Sequence, residues 1–182
     1  MLIKITYFVH STTWDNENHI SSWWSDVGLS ELGVEQSHEL FNTLKDKKFD
    51  TVICSDLLRA RQTAEIVFPH HPSIIYDKRL RECNYGDLNG KATSIVEPLQ
   101  EKNINTPFSN GESYEDVHNR IQSLLREVQE KFNGTSIAFV SSKAPQIVLD
   151  VILRWMTWEE AFASDWRKTK KWQAWWEYIL NF

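Results

Sequence analysis

The stretch FDTVICSDLLRARQTAEIVF, from Phe49 to Phe68, changes period in its middle. Its first part, FDTVICS, is apolar and rich in β-branched residues, which predicts a buried strand. The second part, DLLRARQTAEIVF, has helical composition and predicts a helix directly after Ser55. A strand running into a helix is half of a βαβ unit, the repeat from which parallel sheets with helices on their faces are built. Arg59 stands four residues after Ser55, at the start of that helix, where a guanidinium and the positive end of the helix dipole both favour a phosphate. Taken alone, Arg59 and Arg61 read equally well as solvated helix arginines.

The text on either side repeats the alternation. Leu2 to Val9 predicts an early buried strand, and SELGVEQSHELFNTLKDKKF from Ser30 predicts a helix, with Ser30 as N-cap and Leu32, Leu40 and Leu44 among its apolar positions. SIIYD, Ser73 to Asp77, is a short third strand. Arg81 to Glu112 carries Asn, Gly, Pro and Asp with little periodicity and reads as a surface excursion, a kind of segment that often carries function. In SYEDVHNRIQSLLREVQEKF the residues Val117, Ile121, Leu124, Leu125, Val128 and Phe132 share one helical face, and Asn133-Gly134 ends the helix. TSIAFVSS is a strong strand and APQIVLDVILRWM another apolar helix. The expected fold is α/β: three layers, α/β/α, around a mostly parallel central sheet.

At 182 residues, 41% hydrophobic and 25% charged, the chain is long enough for one sizeable core and short for two. One domain over 1–182 is expected. A net charge of -5 with no basic block argues against a nucleic-acid partner, whose phosphates demand many cations. A small phosphorylated ligand needs only a local cluster of arginines. Cys54 and Cys83 fit neither a disulfide framework nor a metal-ligand spacing. With no leader-like start and no apolar run of membrane-spanning length, a cytoplasmic protein without a membrane partner is the expectation.

In an open parallel sheet, ligands bind beyond the carboxyl ends of the strands. His10 follows the first strand, Ser55 the second and Ser142 the last strong one, so the three converge on one rim. By itself His10 reads more readily as a structural imidazole at a strand end.

FVHSTTWDN, LSELGVEQS, CSDLLRARQTAEIV, LRECNYGDLNG and NGESYEDVHNRI occur in the order of the motifs of the histidine phosphatase superfamily, the phosphoglycerate mutase-like family, and the resemblance covers most of the chain. It implies the phosphoglycerate mutase-like version of the fold and a two-step phosphoryl transfer. His10 matches the nucleophile that would form a phosphohistidine. Arg59 matches an arginine that binds phosphoryl oxygens. Glu82 matches the proton donor to the leaving oxygen. Read without the resemblance, Glu82 is a surface carboxylate paired with Arg79 or Arg81. Asn16, Ser55 and Thr13 match further positions of the pocket. The resemblance implies no cofactor and no metal.

Two positions depart from the pattern. The usual motif has Arg before the nucleophile, where this chain has Val9. A second histidine usually follows the last strand, where this chain has Ser142, with Lys143 next to it. Removing one preorganised donor to a developing anion costs on the order of a hundred- to a thousandfold in rate. Lys143 is the first candidate to fill the gap as a point charge, although strand-end neighbours point to opposite faces. Arg81, His70 and His71 rank below it, and His19, His38 and His118 read as ordinary helix or loop histidines.

Six of the nine tryptophans fall between Trp155 and Trp176. The favoured reading is that 155–182 packs back on the domain. The sharper one is an exposed aromatic surface for a partner subunit, a second copy of the chain, or for a second protein. The basic cluster RKTKK, Arg167 to Lys171, reads as a solvated face that could steer an anion. The expected function is hydrolysis of a small phosphomonoester through His10, weak or narrow because the pocket is depleted. The short 83–112 stretch disfavours a full phosphoglycerate mutase. The alternative is a module that binds a phosphorylated ligand, phosphate or a partner without turning anything over.

Overall fold

The computed structural model describes residues 2–169, 173 and 175–181. In chain order the elements are β1 (Ile3–Val9), α1 (Trp14–Glu17), α2 (Glu31–Leu44), β2 (Thr51–Cys54), α3 (Leu58–Val67), β3 (Ile74–Tyr76), α4 (Thr93–Gln100), α5 (Tyr114–Lys131), β4 (Ser136–Ser141), α6 (Lys143–Arg154), α7 (Trp158–Ala163), α8 (Trp166–Thr169) and β5 (Trp176–Leu180). The sheet runs β3-β2-β4-β1-β5, parallel except for β5, which lies antiparallel along β1.

Side-chain alternation along the strands builds two cores. Ile3, Ile5 and Tyr7 of β1, Ile53 of β2, and Ile137 and Phe139 of β4 face α5, α6 and α7. Phe8, Val52, Cys54, Ala138 and Val140 face the other way, against Leu44 of α2 and Ala60, Ala64 and Val67 of α3. This is the three-layer α/β/α arrangement with a mostly parallel sheet. Helix α5 buries Val117, Ile121, Leu124, Leu125 and Val128 along one stripe, and its start is closed by a capping box between Ser113 and Asp116. Ser30 caps α2 by accepting from the Gly33 amide at 3.3 Å.

Helix α2 differs from its expected form in two ways. It stops at Leu44, because the polar run Lys45 to Lys48 offers no apolar position to bury and the Lys47 amide turns back to the Leu44 carbonyl. Leu32 is 47% exposed, while before Leu44 the buried positions are small residues, Gly33 and Ser37. A narrow face is needed there: a Cβ on Gly33 would sit 1.9 Å from the Thr12 carbonyl oxygen, so α2 lies directly on the backbone that follows β1.

Within the 83–112 excursion lies the helix α4, hidden in the sequence by Pro98, which reads as a helix breaker. The C-terminal segment returns as the edge strand β5, whose WEYIL text alternates buried and exposed. Trp176 packs edge-on against Tyr7, and Trp158 against Tyr114, while Trp155, the left-handed cap of α6, is 85% exposed. Trp172 and the Lys170 and Lys171 part of the basic cluster lie outside the described residues. Among the described residues no helix is long and apolar enough to cross a membrane.

Candidate active site

Backbone pairing carries the ends of β1 and β2 onto β4. The His10 amide donates to the Ser141 carbonyl at 2.8 Å and the Ser55 amide to the Val140 carbonyl at 2.9 Å. Past His10 the chain leaves the sheet and is tied down at each residue. The Ser11 amide donates to Thr63 Oγ1 (3.1 Å), the Thr12 amide to Gln36 Oε1 (3.0 Å), and the Thr12 carbonyl accepts from the Ser30 amide (3.1 Å). Thr13 then caps α1, its hydroxyl accepting from the Asn16 amide while Asn16 Oδ1 accepts from the Thr13 amide.

The His10 ring is fixed from both sides. The Ser11 carbonyl, which can only accept, lies 2.8 Å from Nδ1, so Nδ1 carries the proton. Arg59 Nε, which can only donate, lies 3.1 Å from Nε2, so Nε2 keeps its lone pair. Burial and the neighbouring Arg59 charge push the imidazole pKa down to about 3, so the ring is neutral at physiological pH.

Arg59 is 1% exposed. Its two terminal nitrogens donate to the backbone carbonyls of Trp23 (2.7 Å) and Ser25 (3.1 Å). Among the described residues no carboxylate pairs with it. A buried cation without a counter-charge is costly, and an anion beside it removes the cost. The three hydrogen bonds leave two of its five N–H groups to offer.

Glu82 is held at the start of α6. Oε1 accepts from the Cys83 amide (2.8 Å), the Tyr85 hydroxyl (3.3 Å) and the Ala144 amide (3.2 Å), and Oε2 from the Lys143 amide (3.0 Å). Its backbone carbonyl is gripped by Trp24 Nε1 (2.8 Å) and Arg120 (3.1 Å). Every one of these partners donates, so both carboxyl oxygens act as acceptors.

His10, Asn16, Arg59, Glu82 and Lys143 line one cavity of about 620 Å³. Three other candidates sit behind its wall. Thr13 is fully buried in its cap, and Ser55 is fully buried with its hydroxyl 3.4 Å from the Leu57 amide. Ser142 is 1% exposed, and its hydroxyl has no hydrogen-bond partner among the described residues. Lys143 escapes the strand alternation because β4 ends at Ser141 and α6 begins at Lys143. Its ammonium pairs with Asp165 at 2.6 Å, with Glu97 4.0 Å away, instead of standing free beside His10. Arg81 is committed to Asp56 in a two-pronged pair (2.8 and 2.6 Å), and His70 and His71 line a separate groove. His19, read as an ordinary histidine, lines the cavity wall.

A family model describing the histidine phosphatase superfamily (branch 1) matches residues 10–170. The chain belongs to that superfamily. The fructose-2,6-bisphosphatase TIGAR of Xenopus tropicalis is 34% identical over 96 residues, which cover 50% of this chain and 35% of that protein. A broad-specificity phosphatase of Saccharomyces cerevisiae is 26% identical over 165 residues, 87% of this chain and 72% of that one. The chain spans about a third to a half of the length of the fructose-2,6-bisphosphatases it matches. In fold it resembles a solved mycobacterial hydrolase, with a TM-score of 0.81 at 21% identity over 90% of this chain and 86% of the other.

In this histidine phosphatase chain, the sequence motifs missed the far wall of the cavity. Thr93, Glu97 and Gln100 come from α4, and Trp166 and Arg167 from α8. Arg167 sat in the sequence as part of a basic cluster, and its neighbour Trp166 was the signal that the cluster had a buried side.

Proposed function

We propose that the protein hydrolyses a small phosphomonoester through a phosphohistidine at His10. The carrying observation is the His10–Arg59 pair: a neutral imidazole whose unprotonated Nε2 accepts from a buried guanidinium that, among the described residues, forms no ion pair. In the first step Nε2 attacks phosphorus, the Nε2–P bond forms, the P–O bond to the ester breaks, and the leaving oxygen takes a proton from Glu82. In the second, water attacks phosphorus, the Nε2–P bond breaks, and Glu82 takes back the water proton. Arg59 holds the phosphoryl oxygens throughout. Glu82 must turn from the α6 amides to the leaving oxygen, since both its oxygens now accept from fixed donors. A volume of about 620 Å³ suits a substrate of sugar-phosphate size.

One observation favours the second reading, a phosphate-binding module. Ser142, at the position of the family's second histidine, is buried behind the wall and offers nothing to the cavity. The experiment is hydrolysis of an aryl phosphate by the wild-type protein beside His10→Ala and Ser142→His. Turnover abolished in His10→Ala supports the phosphatase. An inert wild-type protein with an active Ser142→His supports the binding module.

A further inference from the structure

We infer that Arg167, on the short helix α8, is the phosphoryl-binding cation that replaces the ones missing at Val9 and Ser142. The inference rests on the phosphate site at His10 and Arg59 proposed above, and it deepens that reading.

Among the described residues three cations line the cavity: Arg59 at its base, and Lys143 and Arg167 on the wall toward the C-terminal segment. They are not equivalent. Lys143 is 2.6 Å from Asp165 and 4.0 Å from Glu97, so two carboxylates balance its charge. Arg167 shares the same Asp165 more loosely, with one terminal nitrogen 3.4 Å from Oδ1. Its guanidinium lies over the Trp166 ring, 4.7 Å from the centroid, and its other N–H groups make no hydrogen bond among the described residues. Its side chain is 31% exposed, open enough to move onto a ligand.

Asp165 organises this arrangement. Its side chain is 1% exposed and it pairs with both cations, so one buried carboxylate holds two positive groups from two elements at the cavity wall. The Arg167 amide also donates to Asp165 Oδ1 at 3.0 Å, which fixes the root of the side chain. Arg167 already acts on His10, adding to burial and to Arg59 in keeping the imidazole neutral. A guanidinium offers a planar fork to phosphoryl oxygens, which the ammonium of Lys143 cannot match. The missing cation is thereby supplied from the last part of the chain and not from either strand end.

The test is binding of inorganic phosphate by titration calorimetry, together with aryl phosphate turnover, in Arg167→Ala, Arg167→Lys and Lys168→Ala. Lys168 is the control: it belongs to the same basic cluster but pairs outward with Glu101 at 2.6 Å. Arg167→Ala is expected to weaken phosphate binding about tenfold or more and to lower kcat/KM about a hundredfold, at an unchanged melting temperature. Arg167→Lys recovers part of the binding, and Lys168→Ala changes neither quantity. Unchanged phosphate affinity in Arg167→Ala, equal losses in the Arg167 and Lys168 variants, or no phosphate binding by the wild-type protein each overturn the inference. A protein that binds phosphate through Arg167 yet hydrolyses nothing keeps this inference and removes the phosphatase. His10-dependent turnover that is indifferent to Arg167 does the reverse.

Discussion

Replacing Gly33 with alanine places a methyl carbon 1.9 Å from the Thr12 carbonyl oxygen and 2.9 Å from its carbon. Both neighbours are backbone, so neither can swing aside, and the contact must open by about 1.5 Å to reach the ordinary distance of 3.4 Å. Thr12 is two residues from His10, and the Ser11 carbonyl between them holds Nδ1 at 2.8 Å. A shift of that size breaks the hydrogen bond and lets the imidazole turn away from Arg59. Misplacing a reacting group by about 1 Å costs about a hundredfold in rate, and overpacking costs about 1–3 kcal/mol of stability. Gly33→Ala is therefore expected to lose about a hundredfold in kcat/KM for an aryl phosphate, and about 2–4 °C of melting temperature per kcal/mol. Gly28→Ala is the matched control, since its methyl meets side chains and no backbone among its nearest neighbours: the end of Gln62 at 3.0 Å and Leu58 Cδ2 at 3.6 Å. Wild-type kcat/KM in Gly33→Ala refutes the claim that α2 sets the position of the nucleophile, even if the variant melts earlier.

Arg59→Ala should abolish measurable phosphate binding and lower turnover by about 10²–10³, and Arg59→Lys should not restore it, because one ammonium cannot hold the Trp23 and Ser25 carbonyls and still face His10; recovery in the lysine variant argues against the fork. The ring ¹⁵N shifts of His10 should remain those of a neutral Nδ1–H imidazole from pH 5 to pH 8, and a titration near 6.5 contradicts the burial account. Because the folded pKa lies below the unfolded one, the unfolded chain binds more protons between about 3 and 6.5, so stability falls as pH drops through that window. The urea midpoint of the wild-type protein should fall toward acid more steeply than that of His10→Gln, and parallel midpoints count against it. Asp165→Asn leaves Lys143 buried without its 2.6 Å partner and should cost about 3–5 kcal/mol in urea unfolding, much of it regained in the double variant with Lys143→Met; a midpoint unchanged in Asp165→Asn removes that pair from the account of the wall.

Most of the sheet and its long helices were legible because period carries them: the alternating residues of β1, β2 and β4, and the single buried stripe of α5. What stayed hidden depended on distant neighbours. The small buried face of α2 makes sense only against the backbone at Thr12, and the apolar Leu32, which periodicity would place in the core, points to solvent. The partner of β5 lies at the other end of the chain, in β1, so no local pattern names it. The site divides in the same way. His10 follows a strand end, Arg59 stands in the first turn of α3 and Glu82 in a loop, each within a recognisable text. The far wall, Arg167 among it with Asp165 buried behind, is assembled by tertiary packing and leaves only a basic, Trp-rich segment in the sequence. Thr13 and Ser55 matched motif positions and Ser142 stands where the motif has a histidine, yet each is buried behind the cavity, where Thr13 and Ser55 hold the backbone through their hydroxyls.

The central claim is covalent chemistry at His10. The protein, mixed with an aryl phosphate and quenched during turnover, would be digested and read by tandem mass spectrometry under conditions that preserve phosphohistidine. The account predicts a phosphoryl group on His10, formed at a rate that supports turnover and absent from His10→Ala. Turnover with no such adduct, or with the phosphoryl group on another residue, contradicts it.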